Sequence, residues 1–160
     1  MGRLAQTLGV AVRGHSHFHR PKPTSKSKNS IQHLGSMMDN TILEGTCHCG
    51  QIKLRLPAIP EKGTQCNCSI CRRLGAVWAY YEFGTVQIEG HPENTEEYIQ
   101  GDRTLRTIRC NNCGCVTHWE PLDPAQHSQH GVNLNNFHPT LLEQVNVRRF
   151  DGADTWKFIE

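Results

Sequence analysis

The sequence predicts an all-β domain that follows an irregular basic tail. Residues 51–56 alternate apolar and polar side chains, which is typical of a strand with one buried face. Further short segments rich in β-branched and aromatic residues follow, and glycines separate them at short intervals. No segment shows a helical repeat of ten or more residues. Many short strands joined by regular turns indicate a mainly β architecture.

Eight short segments are predicted as strands. In chain order they are 51–56, 77–83, 85–89, 96–99, 105–109, 116–119, 132–134 and 145–150. Two other segments, 69–74 and 139–143, are each long enough for one helical turn. The glycines that mark the turns are Gly84, Gly90, Gly101, Gly114, Gly131 and Gly152.

Residues 1–38 differ from the rest of the chain in composition. They hold six basic residues and no acid, and they have too few apolar side chains to offset the entropy of ordering. Three interpretations are open: a disordered basic tail, a transit-like segment, or an extension upstream of the true start. The pair Met37-Met38, just before residue 39, favours the last. The predicted domain covers residues 39–160.

The composition excludes several classes of protein. No apolar run approaches the roughly 18 residues that a membrane helix needs, and the N-terminus lacks the apolar stretch of a secretory signal. Residues 39–160 hold eleven basic and fifteen acidic residues, so nucleic-acid binding by the domain is not expected. We therefore predict a cytoplasmic protein with no membrane partner, and clustered cysteines in that compartment usually bind metal.

Cysteine spacing is the strongest chemical signal in the chain. Seven of the eight cysteines form three groups, which are Cys47 and Cys49, then Cys66, Cys68 and Cys71, then Cys110 and Cys113. An even number of cysteines also permits a disulfide framework. Two cysteines separated by a single residue make a strained bridge, however, and this spacing occurs three times. The spacing therefore favours zinc.

The first and last groups predict a structural zinc site. Each is a pair of cysteines followed directly by a glycine, Gly50 or Gly114, whose backbone freedom permits a tight turn around a metal. Four cysteine thiolates close the tetrahedral coordination of zinc. We assign the first and last groups together to such a site, although spacing alone does not fix which groups pair. We call them the four-cysteine cluster, whose members are Cys47, Cys49, Cys110 and Cys113.

The middle group, the cysteine triplet (Cys66, Cys68 and Cys71), predicts a different kind of site. Three protein ligands leave one zinc coordination position open to water or a substrate thiol. The alternative is that Cys115 or a histidine fills that position and makes the site structural. The candidate histidines are His118, His127, His130 and His138. Cys115 fits better as a buried strand cysteine.

The three groups together resemble the glutathione-dependent formaldehyde-activating (GFA) family, which includes centromere protein V. The matching pattern is Cys-x-Cys-Gly, Cys-x-Cys-x-x-Cys and Cys-x-x-Cys-Gly, and it covers about residues 42–159. Further matching features are Gly45-Thr46, Arg72-Arg73-x-Gly75-Ala76 and Val132-Asn133-Leu134-Asn135. Cys115 departs from the small or hydroxyl residue expected there.

The resemblance implies a zinc-bound β-tent with two zinc ions per chain. The four-cysteine cluster would hold the structural ion, and the triplet would hold the second ion at the site of glutathione chemistry. The implied reaction joins formaldehyde and glutathione to S-hydroxymethylglutathione, or a related thiol–aldehyde pair, and is formally that of a carbon–sulfur lyase. Arg72 and Arg73 are the candidates to bind the carboxylates of glutathione. The alternative is a non-catalytic zinc module that binds a protein or nucleic acid.

Overall fold

The computed structural model describes residues 42–159, which form eleven strands and three short helical segments. The strands are β1 (Glu44–Thr46), β2 (Lys53–Arg55), β3 (Lys62–Cys66), β4 (Trp78–Glu82), β5 (Gln87–Glu89), β6 (Thr95–Ile99), β7 (Leu105–Cys110), β8 (Val116–Pro121), β9 (Gln129–Asn133), β10 (Asn146–Asp151) and β11 (Lys157–Ile159). The helical segments are α1 (Cys71–Leu74), a 3-10 turn (Leu134–Asn136) and α2 (Pro139–Glu143). The predicted all-β class is confirmed.

The strands form two sheets. The smaller sheet is antiparallel and has the order β1-β2-β5. The larger sheet has eight strands in the order β11-β10-β3-β4-β9-β8-β7-β6. Within it β10 runs parallel to β3, although about 80 residues separate them in sequence. This parallel pair brings the end of the chain next to the middle cysteines.

The core contains side chains from both sheets and from α2. Leu54 of the small sheet packs in one cluster with Ala79 and Val132 of the large sheet and with Leu141 of α2, and all four are almost completely buried. A second, smaller cluster consists of Cys47, Ile52 and Cys110. Two of its three buried residues are therefore cysteines of the four-cysteine cluster.

All eight predicted strands overlap observed strands, and both predicted helical turns are present. Three strands were not predicted: β1, β3 and β11. The sequence of β3, Lys-Gly-Thr-Gln-Cys, has no apolar alternation, and its two buried residues, Gly63 and Thr64, are adjacent and so face opposite sides of the sheet. The three residues of β11 are all exposed, so burial leaves no pattern in its sequence.

The predicted tail, residues 1–38, and the first residues of the predicted domain lie outside the described residues. Within residues 42–159, neither short helix has the length or apolar character needed to span a bilayer.

Candidate metal centres and active site

The four-cysteine cluster joins two turns that are far apart in sequence. Cys47 and Cys49 follow β1, Cys110 ends β7, and Cys113 lies in the turn before β8. Their four sulfur atoms lie within 4.8 Å of one another. The Cys47–Cys49 and Cys49–Cys110 sulfur distances are 3.6 and 3.7 Å. A regular tetrahedron with zinc–sulfur bonds of 2.3 Å has edges of about 3.8 Å, so the donor set fits zinc.

Both turns of this cluster have the same local construction. The Gly50 N–H donates to the Cys47 carbonyl over 2.9 Å, and the Gly114 N–H donates to the Cys110 carbonyl over 3.0 Å. Both glycines have positive φ angles, +77° and +74°, which L side chains rarely adopt. The glycine after each cysteine pair therefore allows the chain to fold back so that both sulfurs point to one place.

The environment of the cluster affects its thiols unequally. Burial raises the pKa of Cys47 to about 11, although the Ile52 N–H donates to its sulfur over 3.3 Å. Burial also raises the pKa of Cys113, but hydrogen bonds from the Cys115 and Cys49 backbone outweigh it and lower that pKa to about 6. Cys113 is therefore a more acidic thiol than Cys47.

Cys115 lies beside the four-cysteine cluster. It is half-buried and packs against the small core of Cys47, Ile52 and Cys110. Its carbonyl accepts a hydrogen bond from the Cys110 N–H over 3.0 Å, which fixes the turn between them. The structure thus places Cys115 against the first cluster and not among the sulfurs of the triplet.

The cysteine triplet is formed by a single local segment. Cys66 ends β3, Cys68 lies in the following turn, and Cys71 begins α1. Their sulfurs lie within 4.8 Å of one another, and within residues 42–159 no fourth cysteine, histidine or carboxylate completes the set. The residues present therefore fit a metal with three protein ligands and one remaining position.

Hydrogen bonds from nearby N–H groups point at the sulfurs of the triplet. The Trp78 indole N–H donates to Cys71 over 3.3 Å, and the Cys68 backbone N–H donates to Cys66 over 3.4 Å. Burial nevertheless raises the pKa of Cys71 to about 12. For Cys68 burial acts in the same direction, but hydrogen bonds from Cys71 and Ile70 outweigh it and lower the pKa. Cys68 is thus the thiol of the triplet that ionises most readily.

The turn after β10 covers one side of the triplet. The Asn67 amide donates to Asp151 over 2.8 Å and accepts from the Ala153 N–H over 2.9 Å. Between these two contacts lies Gly152, where an added Cβ would be 2.6 Å from the Cys66 sulfur. Sequence analysis predicted Gly152 only as a turn residue. The close approach shows that its lack of a side chain leaves room for a thiolate.

An open cavity of about 420 Å³ lies beside the triplet. Cys66, Cys71, Arg72, Arg149 and Phe150 are among the residues that line it. The predicted residue Arg72 is therefore at the cavity. The other predicted arginine does not line it.

Arg73, which the sequence groups with Arg72, lies away from the cavity, and Arg149 lies at the cavity with Arg72. Arg73 donates to the Ser69 carbonyl over 2.5 Å and lies away from the cavity lining. Arg149 lines the cavity because β10 pairs with β3 and places it opposite Gln65. No motif in the sequence marks Arg149, since its position depends on pairing between distant strands.

The candidate histidines lie away from the triplet. His138 caps the N-terminus of α2 by accepting from the Thr140 N–H over 3.3 Å. His118 contacts His91 and Glu120 in a third group of possible ligands, the histidine–glutamate cluster. Burial lowers the pKa of His118 although Glu120 counteracts it, and burial lowers the pKa of His130 to about 4. His118 and Glu120 lie two apart on β8, a spacing that places both on one face.

These features define a mainly β domain organised around two cysteine clusters, one with four sulfur donors and one with three donors beside a cavity. A sequence model of the glutathione-dependent formaldehyde-activating enzyme family matches residues 42–147. The chain belongs to this family, and the resemblance seen in its cysteine spacing is confirmed.

Comparison with solved structures supports the fold. The chain is similar to a Rhodobacter sphaeroides protein of known crystal structure, with 30% sequence identity and a TM-score of 0.54. The similarity covers 65% of this chain and 98% of that chain. No curated protein matches the sequence.

Proposed function

We propose that the protein catalyses the addition of the glutathione thiol to formaldehyde, or to a related aldehyde, as a carbon–sulfur lyase acting in the direction of bond formation. The family match supports this reaction class. The observation that carries the proposal is that a three-sulfur cluster borders an open cavity lined by two arginines, Arg72 and Arg149.

Two cysteine-bound zinc ions per chain are part of the proposal. Cys47, Cys49, Cys110 and Cys113 would hold a structural ion, and Cys66, Cys68 and Cys71 would hold the second. An ion at the triplet would supply Lewis acidity that lowers the pKa of a thiol bound at the open position. The cytoplasmic location belongs to the same proposal, since unoxidised thiolate clusters require a reducing compartment.

The chain's own residues account for substrate positioning. Arg72 and Arg149 line the cavity, and each guanidinium can bind a carboxylate through two parallel hydrogen bonds. Glutathione has two carboxylates, so one arginine for each would hold its thiol at the triplet. In the reaction the thiol S–H bond breaks, a carbon–sulfur bond forms, and the aldehyde oxygen gains the proton. Holding both reactants in place removes part of the barrier because the addition no longer requires a chance encounter.

The decisive experiment measures exchange between formaldehyde, glutathione and their adduct by NMR, on protein whose metal content has been determined. The proposal expects faster exchange than in the uncatalysed reaction, and loss of that acceleration in Cys68→Ser. Protein with two bound metal ions but no acceleration with glutathione or any other thiol would refute it. That result would favour the non-catalytic zinc module.

A further inference from the structure

The histidine–glutamate cluster (His91, His118 and Glu120) lies outside both cysteine clusters. His118 and Glu120 belong to β8, and His91 belongs to the loop between β5 and β6. The side chain of His118 is completely buried, that of Glu120 is 6% exposed, and that of His91 is 17% exposed. Three polar side chains are thus withdrawn from water at one point, which requires strong mutual or external compensation.

The ligand atoms of this cluster have the spacing of a metal site. Glu120 Oε1 is 3.2 Å from His118 Nε2 and 3.3 Å from His91 Nε2. The two imidazole rings are nearly perpendicular, with centroids 5.0 Å apart. Ligands bound to zinc at 2.0–2.1 Å in a tetrahedron are about 3.3 Å apart. The ligand atoms of the three residues all lie within 4.8 Å of one another, so they can approach one cation.

The contacts on the far sides of the rings favour Nε2 as the acceptor nitrogen that faces the carboxylate. The Thr95 hydroxyl donates to the Pro92 carbonyl over 3.1 Å, and in that arrangement His91 Nδ1, 2.8 Å away, donates to Thr95. The Thr117 hydroxyl lies 2.9 Å from His118 Nδ1, and the Ile108 carbonyl, at 3.5 Å, is a more distant acceptor for this hydroxyl when Nδ1 is the donor. In neutral rings both Nε2 lone pairs then point at the same carboxylate oxygen.

Glu120 is oriented in the same way from its other oxygen. Arg106 donates to Glu120 Oε2 from Nε over 3.1 Å and from a terminal nitrogen over 2.9 Å. This leaves Oε1 directed between the two imidazoles. Outer hydrogen bonds of this kind, to the second ring nitrogen and to the second carboxylate oxygen, orient metal ligands in known sites.

We propose that His91 Nε2, His118 Nε2 and Glu120 Oε1 form a third metal site, for a divalent cation of the zinc type. When both rings are neutral with Nδ1 protonated, their two Nε2 lone pairs lie 3.2 and 3.3 Å from the same carboxylate oxygen, and a cation between the three atoms compensates their repulsion. Two histidines and one glutamate are a known zinc ligand set that leaves a position for water. His91 also lines an open cavity of about 400 Å³, which gives the site access to solvent.

The rival explanation is an ion pair in which a protonated histidine donates to Glu120 and no metal binds. Zinc titration of the full chain, followed by metal analysis, separates the two. The proposal expects three zinc ions per chain in the wild type and two in His91→Ala, with the cysteine-bound ions retained. His91 is chosen because it is the most exposed ligand, so its removal disturbs the fold least. His138→Ala, a histidine outside the cluster, is the matched control and keeps three.

Cobalt substitution gives a readout that is independent of both folding and activity. Cobalt at the histidine–glutamate cluster has no thiolate ligand, so it adds d–d absorption without sulfur-to-cobalt charge transfer. This component should be absent in His91→Ala. Thr95→Val, which removes the hydroxyl that orients His91, should weaken binding of the third ion roughly 10-fold. The proposal is overturned if the wild type and His91→Ala bind the same number of ions, or if imidazole nitrogen NMR of zinc-saturated protein shows Nε2 protonated.

Discussion

The two cysteine clusters differ in how much of the chain each one joins. The four-cysteine cluster links Cys49 to Cys110 across 61 residues and connects the end of β1 in the small sheet to β7 and β8 of the large one. The triplet lies within six residues of one β3–α1 turn and borders a cavity. A long-range cross-link contributes to the fold, whereas a local group on a preformed turn is available for chemistry. Removing a ligand from each cluster should therefore have different consequences.

The largest effect is expected from Cys110→Ser. Cys110 is completely buried and also belongs to the small core, so its loss removes both a proposed metal ligand and packing. Metal-binding free energy becomes folding free energy. The free energy of unfolding should therefore fall by roughly 4 kcal/mol or more, which is enough to unfold many domains of this size. Circular dichroism during thermal unfolding measures it.

Cys115→Ser is the matched control for this prediction. Cys115 lies in the same turn and packs on the same core, but it is not one of the four converging sulfurs. Its stability should remain close to that of the wild type. Equal destabilisation by the two variants would show that packing, and not metal ligation, explains the effect.

The second effect concerns the triplet, where Cys68→Ser should separate activity from folding. Metal analysis should show one zinc ion fewer, and catalysed exchange should fall by about 100-fold or more because a three-ligand site with one ligand lost no longer holds its ion. Thermal unfolding should change far less than in Cys110→Ser. If Cys68→Ser unfolds as readily as Cys110→Ser, the two clusters do not differ in the way proposed here.

The same comparison explains how much of the site could be predicted from the sequence. The triplet is local, so its spacing is visible directly in the order of the residues. The two Cys-Gly turns predict the four-cysteine cluster, but only the fold shows that they meet. Arg149 and the partnership of His91 with His118 depend on pairing between distant segments, which no local pattern records. No apolar pattern marks the strand β3, because its two buried residues are a glycine and a threonine.

A third and smaller effect is expected from Gly152→Ala. The added Cβ would lie 2.6 Å from the Cys66 sulfur and 3.2 Å from Cys68 Cβ, so the turn or the sulfur must move. Overpacking of this kind costs about 1–3 kcal/mol. The zinc affinity of the triplet should fall while the four-cysteine cluster keeps its ion. Ala153→Ser, at the exposed neighbouring position, should change neither quantity, and an unchanged triplet affinity in Gly152→Ala would contradict the observed close approach.

The smallest effect should come from the arginines that border the triplet's cavity. Arg149→Gln removes a guanidinium that lines this cavity, so it should raise the KM for glutathione about 10-fold, or about 1.4 kcal/mol, and leave stability unchanged. Arg73→Gln is the control, because Arg73 is bonded to the Ser69 carbonyl and does not line the cavity. Initial-rate kinetics at varied glutathione distinguish the two variants. Equal KM values would mean that the substrate carboxylates are bound elsewhere, and a fall in kcat without a change in KM would place Arg149 in the chemical step instead.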